Sequence, residues 1–299
     1  FKVNPRPWSG ETSAFGAALG EFGLPVRMRD ARTIWREFSP HFVEYHMFAT
    51  DLELDPNDHA GPFDGLVLRF HAPEQFDDGF VLDLVNPDAT VRTRSEARLA
   101  DCVRWCQAAA ALSGHTEQVD VVVNVGGATQ HATGATSFNR DSALRRVADV
   151  CTHYSARGVR LLPQTMPPFP WHFGGQGYHN LFVDVQDAID IQTFADVRFC
   201  LDLSHSFLGC EQVKADFYTS LMRIKDVVAY CHVSDASPPN GEGMPIGTGV
   251  IDFSRVNAIL GLSTGERPWI PEIWNGHLNH FSGFRSAVTQ LQQTFTHED

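Results

Sequence analysis

LLPQ (161–164), FCLDLSH (199–205), AYCH (229–232) and WIPE (269–272) decide how this chain is read. Each is an apolar run closed by a residue with metal-ligand chemistry: Gln164, Asp202 with His205 three residues on, His232 and Glu272. The lead positions are separated by 202 − 164 = 38, 232 − 202 = 30 and 272 − 232 = 40 residues, close to the roughly 30 to 40 residues of one strand-plus-helix unit in an eight-stranded α/β barrel. Strands buried on both faces read as near-continuous apolar runs, and barrel strands deliver side chains from their C-terminal ends to one shared mouth.

Outward from these runs the same alternation continues. LPVRM (24–28) reads as the first strand, followed by a helix ARTIWREF with Asp30 at its N-cap. FVEYH (42–46) and LVLRFH (66–71) are strand-like. From about Thr93 to Ala111, the residues Leu99, Cys102, Val103, Cys106 and Ala110 recur at helical spacing. VDVVVNVGG (119–127) is a β-branched run stopped by Gly126 and Gly127. A helix from about Asp141 to Ala156 groups Leu144, Val147, Cys151 and Tyr154 and ends at Gly158, a suitable C′ residue. The final helix, about Leu278 to Phe295, carries the stripe Phe281, Phe284, Val288, Leu291, Phe295. This order predicts an α/β fold, a (β/α)8 TIM barrel, rather than a sandwich or bundle. Residues 1–24, rich in Gly, Pro, Ser and Ala, read as an N-terminal arm or linker, and 25–299 as a single barrel domain.

Composition narrows the function classes. Of 299 residues, 43% are hydrophobic and 20% charged, enough for one large core. The net charge of −13 opposes a phosphate backbone, and RMRDAR (27–32) is the densest basic stretch, so nucleic acid is not an expected partner. Six cysteines without CxxC spacing read as reduced, buried thiols. No apolar stretch reaches the ~20 residues of a membrane span, and FKVNPRPWSG is not a signal peptide. A cytoplasmic protein without a membrane partner is expected, and exposed aromatic loops suit a homodimer.

Asp202 and Glu272 supply anionic oxygens, His232 an imidazole nitrogen and Gln164 an amide oxygen. Such an N/O set suits one divalent ion, Mn2+, Zn2+, Co2+ or Mg2+, with positions left for substrate oxygens.

RFHAPE (69–74), LLPQTMPP (161–168), CLDLSHS (200–206), CHVSDA (231–236), PIGTGVIDF (245–253) and IPEIWNGH (270–277) together resemble the xylose isomerase-like TIM-barrel superfamily of sugar isomerases, epimerases, dehydratases and family-2 AP endonucleases. In the sugar isomerase and epimerase branch, the resemblance implies ligands Glu, Asp, His and Glu on strands five to eight, which fall at Gln164, Asp202, His232 and Glu272. Three match and one departs. Epimerases of this kind use both glutamates to move a proton, and an amide accepts none at neutral pH. Either one base, Glu272, suffices, or Gln164 is a substrate-trapping replacement. In the endonuclease branch, further ligands are expected where this chain has Asn124, Gly241 and Gly243, so a three-ion phosphodiesterase is disfavoured.

The implied activity is a metal-dependent isomerase or epimerase of carbohydrate metabolism acting on a sugar, sugar phosphate or related polyol. It would proceed through a chelated enediolate, with Glu272 as base and His205 or His71 as acid. A dehydratase (lyase) or a catalytically impaired sugar-binding barrel are the alternatives. The expected substrate contacts are His71 and Glu74 after strand three, Trp171, His172 and His179 in the loop PPFPWHFGGQGYHN (167–180), Asp235 after strand seven, and Trp274 and His277 after strand eight. Gly126 with Gly127, and Gly247 with Gly249, are candidate backbone donors to a phosphate.

Overall fold

The apolar runs form eight parallel strands: β1 (Gly23–Val26), β2 (Phe42–His46), β3 (Val67–His71), β4 (Val119–Val123), β5 (Val159–Pro163), β6 (Phe199–Asp202), β7 (Val228–Val233) and β8 (Trp269–Pro271). The structure, a computed structural model, describes residues 19–59, 67–76, 78–114, 118–130, 138–169 and 177–296. β1 to β5 pair in chain order in one parallel sheet, and β6, β7 and β8 in another. Two parallel bridges, Phe22 with Trp269 and Gln164 with Cys200, join these sheets at both seams and close the ring. The expected TIM barrel is thus present. β1 begins at Gly23, and Leu19 and Phe22 are already core residues, so the barrel takes in the last part of the stretch read as an arm.

Helices cover the outside: α1 (Ala31–Phe38), α2 (Ala89–Leu112), α3 (Arg140–Ser155), α4 (Leu203–Val213), α5 (Phe217–Ile224), α6 (Phe253–Leu260) and α7 (Leu278–Thr296). Leu99, Cys102, Val103, Cys106 and Ala110 of α2 are buried, as are Leu144, Val147 and Cys151 of α3. Side-chain caps start most of these helices: Asp88 accepts from Thr90 N, Asn139 from Ser142 N, Asp216 from Thr219 N and Asp252 from Ser254 N. Asp30 occupies the N-cap of α1 but makes no side-chain cap bond, and pairs with Arg29 instead. In α7 the first turn is not helical, because Asn279, His280 and Phe281 are left-handed, yet Phe281 still packs on the core with the rest of the expected stripe, against Phe38.

Two apolar regions result. The larger lies between strands and helices and runs from Leu19 to Phe295. The smaller fills the barrel interior with Phe42, Val122, Leu162, Cys200, Tyr230 and Ile270 from alternate positions of facing strands. Gly23 makes room for this layer, since a Cβ there would lie 2.3 Å from the Phe42 ring. Below it, Arg160 grips Asp120 through two bonds of 2.8 Å, and the Arg69 guanidinium packs between the Phe42 and Tyr230 rings. Above it the interior turns polar. All six cysteines are free and buried, as their spacing implied.

Candidate metal and catalytic site

The strand register that closes the barrel also decides which polar side chains meet. Asp202 pairs with His232 across β6 and β7, Ile270 of β8 pairs with His232, and Glu272 follows one residue past β8, anchored by its amide to Val233 O. Gln164 sits on the seam bridge to Cys200, directly after β5. The four strand-end residues therefore share one mouth. Asp202, His232 and Glu272 each offer a donor atom within 4.8 Å of the others. Glu272 Oε2 lies 2.6 Å from His232 Nδ1. Gln164 Nε2 lies 2.9 Å from that same nitrogen, while its Oε1 is 3.2 Å from His71 Nε2.

This set fits a divalent cation. It combines an imidazole nitrogen with two carboxylates at one point, and half a turn of the Gln164 amide would present its oxygen instead of its nitrogen. Asp202 serves two ends at once. Its Oδ1 caps α4 by accepting from His205 N at 2.8 Å and from the Ser204 hydroxyl at 2.8 Å, and Oδ2 is left for the mouth. The cap and ligand readings of a strand-end aspartate are thus divided between two oxygens.

Electrostatics distinguish the acids. Burial opposes the charge on Glu272, but His232, with support from His46 and His71, outweighs it and holds the carboxyl well below its ordinary range. Burial also opposes an imidazolium at His232, yet Cys200, Glu272 and Glu44 raise it well above the histidine value. Of these the two carboxylates matter, because burial pushes the Cys200 thiol to about 12 and leaves it neutral. Burial, with Glu272 and Glu242 nearby, lifts Glu74 to about 7 against the pull of His205. Asp202 is lifted by burial and Glu272 to about 6 against the pull of His205 and His232. His205 is raised, since Asp202 and Glu242 overcome its desolvation. Its Nδ1 faces Thr165 O at 2.9 Å and its Nε2 faces Glu242 at 3.5 Å.

Gln164, Asp202, His205, Glu242 and Glu272 line a cavity of about 440 Å3 that also takes in His46, His71, Glu74, His179, Trp274 and His277, while His232 and Glu44 lie buried behind it. His71 bonds Ala72 O and Gln164. His179 is fixed by Pro167 O at 2.7 Å. Trp274 stands at the rim, 53% exposed, against Gly243. Trp171 and His172 lie outside the described residues.

Two expectations are corrected. Asp235 does not line the cavity: its oxygens accept from the amides of Ala236, Gly247, Gly249 and Ile251 at 2.8 to 3.0 Å, so it organises the loop after β7. The same bonds remove Gly247 and Gly249 as phosphate donors, and Gly127 N is likewise committed to Asp83.

Sequence reading missed Glu44 and His46 of β2 and Glu242 of the β7 loop. Glu44 is fully buried, 2.7 Å from His46 Nε2 and 3.1 Å from His232 Nε2. The signal was present, since an acid at the centre of the otherwise apolar FVEYH needs partners inside the barrel.

The family model described as "Xylose isomerase-like TIM barrel" matches residues 62–294. Among solved structures, a D-tagatose 3-epimerase-like protein superposes with TM-score 0.66 at 14% identity, over 92% of this chain and 98% of its own. Endonuclease IV from Thermus thermophilus gives 0.61 at 15%, over 91% and 99%. A probable 3-DHS dehydratase involved in petrobactin synthesis, from Bacillus anthracis, gives 0.61 at 13%, over 93% and 100%. Identities this low speak to the shared fold. No curated protein matches by sequence.

Proposed function

Because this chain belongs to the xylose isomerase-like TIM barrel family, we propose that its ring of strand-end donors serves a divalent-metal-dependent isomerisation or epimerisation of a sugar or related polyol. The observation that carries this reading is the convergence of Asp202, His232 and Glu272 within 4.8 Å at the barrel mouth, with Gln164 against His232. Asp202, His232, Glu272 and the Gln164 oxygen are the proposed ligands. A cation held there supplies Lewis-acid polarisation of a carbonyl and its neighbouring hydroxyl.

The chain's own groups supply the proton chemistry. Glu272 stays ionised at neutral pH, so it is the base that takes the proton from the carbon next to the carbonyl. Gln164 cannot share that task, because an amide carries no basic oxygen at this pH. Transfer by the single carboxylate Glu272 on one face of the substrate moves the proton between neighbouring carbons, the isomerisation outcome, and is therefore favoured over inversion at one carbon, which needs a second proton donor on the opposite face. His46, His205 and His277 surround the cavity with groups that bond hydroxyls, and Trp274 offers a flat apolar face at the rim.

A dehydratase outcome has its own support. Glu74, lifted by burial to about 7, and His205, raised by Asp202 and Glu242 against its burial, are the cavity groups suited to give a departing hydroxyl its proton. A three-ion phosphodiesterase lacks donors at Asn124, Gly241 and Gly243.

The test is a panel of ketoses, keto-glycosides and sugar phosphates incubated with Mn2+-supplemented protein in deuterated water. Carbon-bound deuterium in recovered substrate or product, abolished in Glu272→Gln, is expected. A dehydrated product in place of an isomer would select the second outcome, and no exchange into any compound would refute proton abstraction.

A further inference from the structure

Beneath the donor ring sits a carboxylate that none of the ligand positions accounts for. Glu44 lies at the centre of β2, between the inward-facing Phe42 and His46, with no solvent exposure. Placing an anion there is unfavourable unless its partners are well aimed, and four other acids, Glu74, Asp202, Glu242 and Glu272, already face the adjoining cavity.

Its partners are two imidazoles. Oε1 lies 2.7 Å from His46 Nε2 and 3.1 Å from His232 Nε2, and Oε2 lies 3.2 Å from His232 Nε2. A carboxylate only accepts, so the Nε2 atoms facing Glu44 carry protons, in a hydrogen bond from His232 and in a close contact without hydrogen-bond alignment from His46; by the same rule His232 Nδ1 carries a proton against Glu272, and its lone pair is freed when a cation displaces that proton. The two Nδ1 atoms converge on one target: His232 Nδ1 is 2.6 Å from Glu272 Oε2, and His46 Nδ1 is 3.7 Å from Glu272 Oε1. The rings lie nearly parallel, 26° apart with centroids at 5.9 Å, and His71 packs 5.1 and 5.8 Å from them. One buried anion thus faces the Nε2 atoms of both rings and leaves Nδ1 as the atom each turns to the cavity side.

We propose that Glu44 is a positioning residue that fixes the tautomers of His232 and His46, turning His232 Nδ1 to the divalent ion and His46 Nδ1 to the substrate side of the cavity. The His232 half rests on the cation reading above, and the His46 half stands without it. Outer partners of this kind affect metal affinity by roughly 10- to 100-fold. Glutamine in place of Glu44 can accept one Nε2–H but offers an N–H to the other ring, which must then turn or exchange its proton.

Two measurements test this with Zn2+ as the probe: calorimetric Zn2+ affinity, and 15N spectra of the histidine rings in Zn2+-loaded protein and in protein without added Zn2+ at alkaline pH. In the wild type, His232 should bind Zn2+ through Nδ1, and His232 and His46 should both carry Nε2–H. Glu44→Gln should lose roughly 10- to 100-fold in Zn2+ affinity and convert one ring to Nδ1–H, and Glu44→Asp, which restores the acceptor, should recover part of the loss. Coordination through His232 Nε2, an Nδ1–H tautomer of His46 in the wild type, or Glu44→Gln with unchanged affinity and tautomers would overturn the proposal. If Glu44→Gln does not fold, the wild-type spectra decide. If the wild type takes up no Zn2+, the cation reading fails, and the His46 tautomer still judges Glu44.

Discussion

Replacing Asp235 by Asn separates two roles this residue can play, and the structure sets the expected size. Oδ1 accepts from Ala236 N (2.9 Å) and Ile251 N (3.0 Å), and Oδ2 from Gly247 N (3.0 Å) and Gly249 N (2.8 Å), with Asp235 itself 1% exposed. Asparagine keeps one oxygen and sets an NH2 against two amides. Ala236 and Ile251 are buried, whereas Gly247 is exposed and Gly249 half-buried, so the side chain will keep its oxygen on the buried pair and leave water to satisfy the glycines in part. Each buried amide without a partner costs about 1–3 kcal/mol, and partial rescue of both glycine amides puts Asp235→Asn at about 2–3 kcal/mol. Asp235→Ala, which strips all four amides, should cost about twice that. Urea unfolding should show a lower midpoint at unchanged slope, while Mn2+ binding by the folded variant stays near that of the wild type. A loss below ~0.5 kcal/mol, within the range of ordinary surface changes, would refute the loop-organising role, and a wild-type stability paired with weakened ligand binding would return Asp235 to the substrate.

Three further outcomes follow from the same geometry. Gln164→Glu adds an anion against His232 and should tighten Mn2+ binding at least tenfold by calorimetry; unchanged affinity would remove position 164 from the donor set. Mn2+ must displace the His232 Nδ1 proton that Glu272 holds, and the His232 pKa is raised, so uptake should release protons and weaken as pH falls through neutrality; a binding enthalpy independent of buffer ionisation would contradict this. Gly243→Ala, at φ +60° with its Cβ 2.0 Å from Trp274 Cδ1, should cost roughly 1–2 kcal/mol in backbone strain and expose Trp274 to acrylamide quenching. Unaltered quenching and stability would show that the rim adjusts freely.

Strand ends were legible because barrel spacing and C-terminal polar residues are written locally in the sequence: Gln164, Asp202, His232 and Glu272 fall on one mouth by their spacing alone. Contacts between distant segments were not. Glu44 and His232 are 188 residues apart and meet only once the ring closes. Asp235, three residues past the proposed ligand His232, looked like part of the site, but four amides from its own loop had claimed it. His205 shows the intermediate case. Its position one turn into α4 follows from the strand-to-helix junction, and its pairing with Glu242 follows only from how the β7 loop folds back over the mouth.

The seam between β5 and β6 gives the barrel a property beyond shape. Its closure rests on the Gln164–Cys200 bridge, on Thr165 N to Cys200 O at 3.1 Å, and on a reciprocal pair in which Asp202 N donates to the Thr165 hydroxyl and that hydroxyl donates to Asp202 O. The residues flanking this joint are two of the proposed ligands. Anything that draws Gln164 and Asp202 toward a common point therefore acts as a clasp on the ring, and occupancy of the mouth and integrity of the cylinder become linked equilibria. A change that loosens the joint would be felt first as weaker binding, well before the fold itself gave way.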